Sequence, residues 1–134
     1  NIPDDRKQLW QQIERVLRNP VIRRFVLRED MKIEKKAGIS ALCEYSLLSD
    51  NVYPTYAVIK RELKASGVKV EKQVSELEEI GCVVLELGYF IDFLGKGFQD
   101  PLSVVLSLTG EEQEEERVDI SINEMLEEYV WSKD

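Results

Sequence analysis

One run of ten residues constrains this chain more than any other. In the stretch from Cys82 to Ile91, the residues Val83, Leu85, Leu87, Tyr89 and Ile91 occupy alternate positions, so an extended backbone puts all five on one side. A helix would scatter the same side chains around its circumference. The stretch therefore reads as a strand. Its expected partner is a second alternating run, Leu102, Val104, Leu106 and Leu108, interleaved with Ser103, Ser107 and Thr109. Two such runs joined by residues 92–101 read as a long β-hairpin.

Upstream of that strand the period changes. Tyr56, Ile59 and Leu63 recur at intervals of three and four, one face of a helix. Ala65-Ser66-Gly67 breaks the pattern, and Gly67 can take the positive φ that a sharp turn needs. Val70, Val74, Leu77 and Ile80 then continue a helical period up to Gly81, which reads as a helix C-terminal cap. Helix, glycine turn, helix and strand is the order of a helix-turn-helix motif with a wing. A preceding helix over about 39–48, burying Ile39, Leu42, Cys43 and Leu47, would complete a three-helix core.

Before residue 37 the chain is basic. Asp4 or Asp5 can cap a helix whose apolar stripe is Leu9, Trp10, Ile13, Val16 and Leu17. Asn19-Pro20 ends it, and the element Val21 to Arg28 is short enough to be helix or strand, with helix preferred. After Gly110 the chain turns acidic. The run Glu111, Glu112, Glu114, Glu115 and Glu116 reads as a solvated linker or the first turns of an exposed helix. Ser121-Ile122-Asn123-Glu124 fits a capping box. Behind it Ile122, Met125, Leu126, Tyr129 and Val130 form an apolar helical stripe. That tail can pack on its own domain, cover a basic surface as a phosphate mimic, or offer its stripe to a partner's groove.

The net charge of −8 is divided unevenly: +4 over residues 1–36, −4 over 37–110 and −8 over 111–134. A basic face suited to nucleic acid therefore needs the N-terminal segment. The chain has no histidine and only two cysteines, Cys43 and Cys82. The commonest general base near neutral pH is missing, and a four-thiolate zinc site cannot be built. No catalytic signature, cofactor motif or metal site is expected. Gly95-Lys96-Gly97 lacks the rest of a phosphate-binding loop and reads as a hairpin tip. No apolar run is long enough to cross a bilayer, and two lone thiols in apolar surroundings suit a reducing, cytoplasmic setting.

The pattern over roughly Ile39 to Thr109 resembles the winged helix-turn-helix family, which is common among transcription regulators. The resemblance rests on residues 57–63, 70–81 and 82–85. It implies an α+β protein with a basic N-terminal helical segment (1–36), a winged-helix core (37–110) and an acidic amphipathic tail (111–134). By that likeness Lys69 to Ile80 is the recognition helix, and Lys69, Lys72, Gln73 and Ser75 meet duplex DNA in the major groove. Lys96 on the wing and Arg23, Arg24 and Arg28 add phosphate contacts. The expected function is non-enzymatic DNA binding in transcription regulation, alone or as a homodimer. The alternative follows from Glu71, Glu76, Glu78 and Glu79 on the recognition helix and from the apolar tip. It is a protein-interaction subunit of a larger nucleic-acid-processing complex, making its contacts through Phe93, Leu94 and Phe98 of the tip and Met125, Leu126 and Tyr129 of the tail.

Overall fold

The computed structural model describes residues 18–51, 53–68 and 80–131. Along these the order is β1 (Val21–Leu27), α1 (Gly38–Tyr45), β2 (Thr55–Ile59), a 3-10 turn (Lys60–Glu62), β3 (Cys82–Leu87), α2 (Pro101–Ser107), α3 (Gly110–Glu114) and α4 (Glu116–Tyr129). The class is α+β, with one three-stranded sheet in the order β1-β3-β2. The expected N-terminal helix and the recognition-helix residues Lys69, Lys72, Gln73 and Ser75 lie outside the described residues.

The strand expected from residue 82 onward forms and sits at the centre of the sheet. It runs antiparallel to β1, with Phe25 opposite Val84, and parallel to β2, with Tyr56 opposite Val84. All six of its residues are buried, because both of its faces are covered. Val83, Leu85 and Leu87 pack with Ala37 and Ala57. On the opposite face Cys82 and Val84 pack with Phe25, Leu27, Tyr56, Val58 and Val68. The strand stops at Leu87, so Tyr89 and Ile91 do not continue its inward row.

Three expectations fail for local reasons. The element at 21–28 is a strand, in keeping with the β-branched Val21, Ile22 and Val26 and with the open edge of β3 beside them. The helix expected from Tyr56 to Leu63 is β2 followed by the 3-10 turn. Tyr56, Ala57 and Val58 alternate between the two faces of the sheet, and burial on both faces outweighs their helical spacing. Gly67 does take a positive φ of 78°, though the segment before it is not a helix. The hairpin's return strand is the helix α2: the Asp100 carboxylate accepts from Ser103 N at 3.1 Å, and Pro101 opens the first turn. Where the winged-helix layout needs its second helix there is a strand, and where it needs the returning wing there is a helix.

The remaining helices build the larger apolar cluster. Ile39, Leu42 and Tyr45 of α1 meet Val104 and Val105 of α2 and Val118, Ile122, Met125 and Leu126 of α4. Leu47 falls beyond the end of α1 and is 96% exposed, contrary to its expected burial. The capping box is at Thr109 and Glu112, where it opens α3; Ser121 is a buried residue inside α4. The acidic run is thus helical, spanning α3 and the start of α4. Among the described residues no helix is long and apolar enough to cross a membrane.

Candidate functional site

The segment between β3 and α2 is where exposed apolar side chains and tight backbone anchoring coincide. Its base is closed by hydrogen bonds from Asp100 N to Ile91 O at 2.9 Å and from Gly97 N to the Asp92 carboxylate at 3.0 Å. It is then stitched to the strand-like residue Lys36: Lys36 N donates to Gly97 O at 2.8 Å, and Gln99 N donates to Lys36 O at 3.0 Å. Gly95 and Gly97 both have positive φ, 68° and 83°. At Gly97 a side chain is also excluded by space, since a Cβ there would lie 2.8 Å from Glu34 O.

Gln99 is the buried anchor of this loop. It is fully buried; its amide Nε2 donates to Ser107 Oγ at 2.7 Å, and its Oε1 accepts from Gly38 N at 3.2 Å. Its backbone carbonyl accepts from the Tyr45 hydroxyl at 2.8 Å. One side chain thereby ties the loop to both α1 and α2. Ile91, at the base, is 49% exposed, and beyond it the loop presents Phe93 (50%) and Leu94 (40%), adjacent in the chain. Lys96 is exposed beside them.

Of the three apolar tip residues expected to contact a partner, Phe93 and Leu94 are on the surface and Phe98 is not. Phe98 is 6% exposed and packs edge-on to Tyr45, with ring centroids 5.0 Å apart. Ile91, at the base of the loop, is exposed instead. Sequence reasoning missed Ile91 because it was counted in the strand's alternation, and missed Gln99 because a single glutamine carries no pattern. The pair of glycines flanking Lys96 was the available signal that the chain turns sharply here.

The tail candidates are core residues. Met125 is fully buried and Leu126 is 7% exposed. Tyr129 is partly buried and meets Tyr45 at 5.1 Å between ring centroids. The apolar stripe is used inside the fold, and the helix turns Asp119, Glu124, Glu127 and Glu128 outward.

The expected cations are dispersed. The Arg23 guanidinium donates from Nε at 3.0 Å and from Nη2 at 2.6 Å to one oxygen of Glu86, and it lies 5.0 Å over the Phe25 ring. Arg24 comes within 3.6 Å of Glu112 on α3, from the other face of the sheet. Arg28 is exposed just past β1.

The thiols are poor nucleophiles. Burial, with Asp50 and Glu44 nearby, pushes the Cys43 thiol up to about 11, and burial also raises Cys82. Among the described residues no group of three His, Cys, Asp or Glu side chains is placed to hold a metal ion. Compared with models of known protein families, with curated proteins and with solved structures, the chain matches none.

Proposed function

We propose that this chain is a non-enzymatic interaction module that inserts the loop tip Phe93 and Leu94, flanked by Ile91 at the loop base, into an apolar pocket of a partner protein. The observation that carries the reading is the pairing of three exposed large apolar residues with a loop base closed by backbone hydrogen bonds. A tip held in advance loses little conformational freedom on docking. Fully burying such a side chain from water contributes about 1.5–3 kcal/mol, and covering the exposed part of Phe93 and Leu94 supplies roughly half of that each. Two such anchors are enough to act as hot spots in an otherwise polar contact.

Duplex DNA recognition is the second reading, supported by the types of Lys69, Lys72 and Gln73, which can reach base edges. It ranks second because Arg23 and Arg24 already face carboxylates, and the exposed tip residues are apolar where a phosphate contact needs cations.

The test is affinity capture from the source cells with nuclease treatment, comparing the native chain with Phe93→Ser/Leu94→Ser. The double variant is expected to keep its melting temperature and lose the captured protein. Capture that survives the double substitution overturns the tip as the contact. Binding of labelled duplex that Lys69→Ala/Lys72→Ala abolishes would instead favour the second reading.

A further inference from the structure

A cleft of about 540 Å³ opens where the two parallel strands end, lined by Ile59, Lys60, Arg61, Gly88, Tyr89 and Phe90. Its position follows from the register. Ile59 is paired with Leu87, so Lys60 and Gly88 leave the sheet side by side at the carboxyl ends of β2 and β3. The carboxyl edge of adjacent parallel strands is where open sheets hold ligands, because the chain leaves in different directions and exposes backbone and side chains there. The volume is in the range of small-molecule sites.

The lining has two chemistries. Tyr89 and Phe90 supply aromatic surface. Tyr89 is fixed by its hydroxyl, which donates to Arg18 O at 2.9 Å. Phe90 is backed by Lys35, whose Nζ lies 5.6 Å from the ring centroid and whose charge is partly met by Glu62 at 3.4 Å. Gly88 keeps the floor clear of a side chain, and its amide is already used by Pro20 O at 2.8 Å. Lys60 and Arg61 are exposed on the 3-10 turn, and neither is in an ion pair with any described residue. Other described cations of this acidic chain, Arg23, Arg24, Lys35, Lys36 and Arg117, each lie against a carboxylate. Like Arg18, Lys32, Lys64 and Lys96, these two cations have no ion-pair partner among the described residues; what sets them apart is that they line one cleft with two rings.

We infer that this cleft binds a phosphorylated nucleobase, with the base against Tyr89 and Phe90 and the phosphate on Lys60 and Arg61. Aromatic faces stack on any base without reading it, and a guanidinium grips phosphate oxygens through two parallel hydrogen bonds. An apolar ligand would leave both cations desolvated and unused. A bare anion would leave both rings idle. The same chemistry is offered by a free nucleotide and by one nucleotide of a single strand.

The experiment is a heteronuclear NMR titration of the full 134-residue chain with adenosine 5′-monophosphate, adenosine, inorganic phosphate and an oligoadenylate. The mononucleotide is expected to give saturable shifts at Lys60, Arg61, Gly88 and Tyr89, with adenosine and phosphate each at least about tenfold weaker. Arg61→Ala, on an exposed turn, should cost about tenfold in affinity at an unchanged melting temperature. Phe90→Leu adds a stacking test, and Lys60→Ala a second charge test should the Phe90 variant unfold. An oligoadenylate that binds more tightly than the mononucleotide places the ligand within a single strand; equal affinity places it as a free nucleotide, and either supports the site. No saturable shift up to about 10 mM mononucleotide, shifts confined to other residues, or unaltered binding by Lys60→Ala/Arg61→Ala overturns the inference.

Discussion

Two side-chain pairs show how single residues hold the sheet. Glu86 is 1% exposed on the central strand, and its carboxylate receives both Arg23 donors on one oxygen. Arg23 itself is half exposed, so water screens part of the attraction. Removing it still leaves a buried carboxylate without its cation. Arg23→Ala is expected to cost about 2 kcal/mol in urea unfolding, and Glu86→Gln in that background should restore part of it. Equal stability of Arg23→Ala and the native chain would show that the ion pair is idle. The second pair is Tyr56 and Asp30, whose hydroxyl–carboxylate distance is 2.6 Å. The Tyr56 hydroxyl, then the Lys32 amide, holds the Asp30 carboxyl below its ordinary 3.8. A depressed carboxyl contributes stability above its unfolded pKa and loses it as pH falls through the folded value. Burial, then the bond to Asp30, raises the Tyr56 hydroxyl above its ordinary 10.0. That contribution is present below pH 10 and lost as pH rises beyond it. Tyr56→Phe should therefore lower the melting temperature at neutral pH. The gap from the native chain should close both below pH 3.8 and above pH 10. A gap independent of pH would mean that the hydroxyl acts only through packing.

At the scale of elements, α4 matters most to the outcome. Its i, i+3, i+4 stripe is amphipathic, and amphipathicity alone is equally consistent with packing inward and with binding a partner. The structure puts Val118, Ile122, Met125 and Leu126 against α1 and α2, and Trp131 and Val130 close the same cluster. Met125→Ala should cost about 3 kcal/mol, as expected for a fully buried large side chain. Truncation after Gly110 should lower the melting temperature sharply, without a gain in DNA affinity. A truncated chain that melts like the native one would return the tail to the role of a free partner-binding helix. The α2 segment carries the complementary lesson. Leu102, Val104, Leu106 and Leu108 alternate in sequence, yet Ser103 and Ser107 are buried as well. Ser107 donates to Ser103 O and accepts from Gln99, so the polar positions of that alternation are satisfied inside the fold. With Ser103 and Ser107 buried while Leu102 and Leu106 are only half-buried, the alternation does not mark the buried face, and the Asp100-Pro101 start decides.

For the whole molecule, β3 is the element on which the packing of both sheet faces converges. It is paired on both edges and covered on both faces. Its amides from Val83 to Leu87 should exchange with deuterium slowest, at the rate of global unfolding, while the 92–97 tip exchanges faster. Slower protection in α4 than in β3 would place the cooperative core among the helices instead. The chain's own pattern was enough to determine an α+β class, a strand beginning at Cys82, a helix beginning near Ile39 and an amphipathic helix near the C-terminus, though that strand and first helix end short of the expected Ile91 and Leu48. The pattern was not enough for Val21–Leu27, Thr55–Ile59 or Pro101–Ser107, because short apolar segments satisfy strand and helix periods alike. For the first two the geometry was decided by tertiary pairing, because β3 supplies two open edges that β1 and β2 fill; for the third it was decided by the Asp100 cap and Pro101. The candidate surfaces follow the same division. Phe93 and Leu94 were legible as a tip because glycines mark the turn. Ile91, the anchor Gln99 and the cleft of Lys60, Arg61, Tyr89 and Phe90 were not, since only the parallel pairing of residues far apart in sequence brings them together.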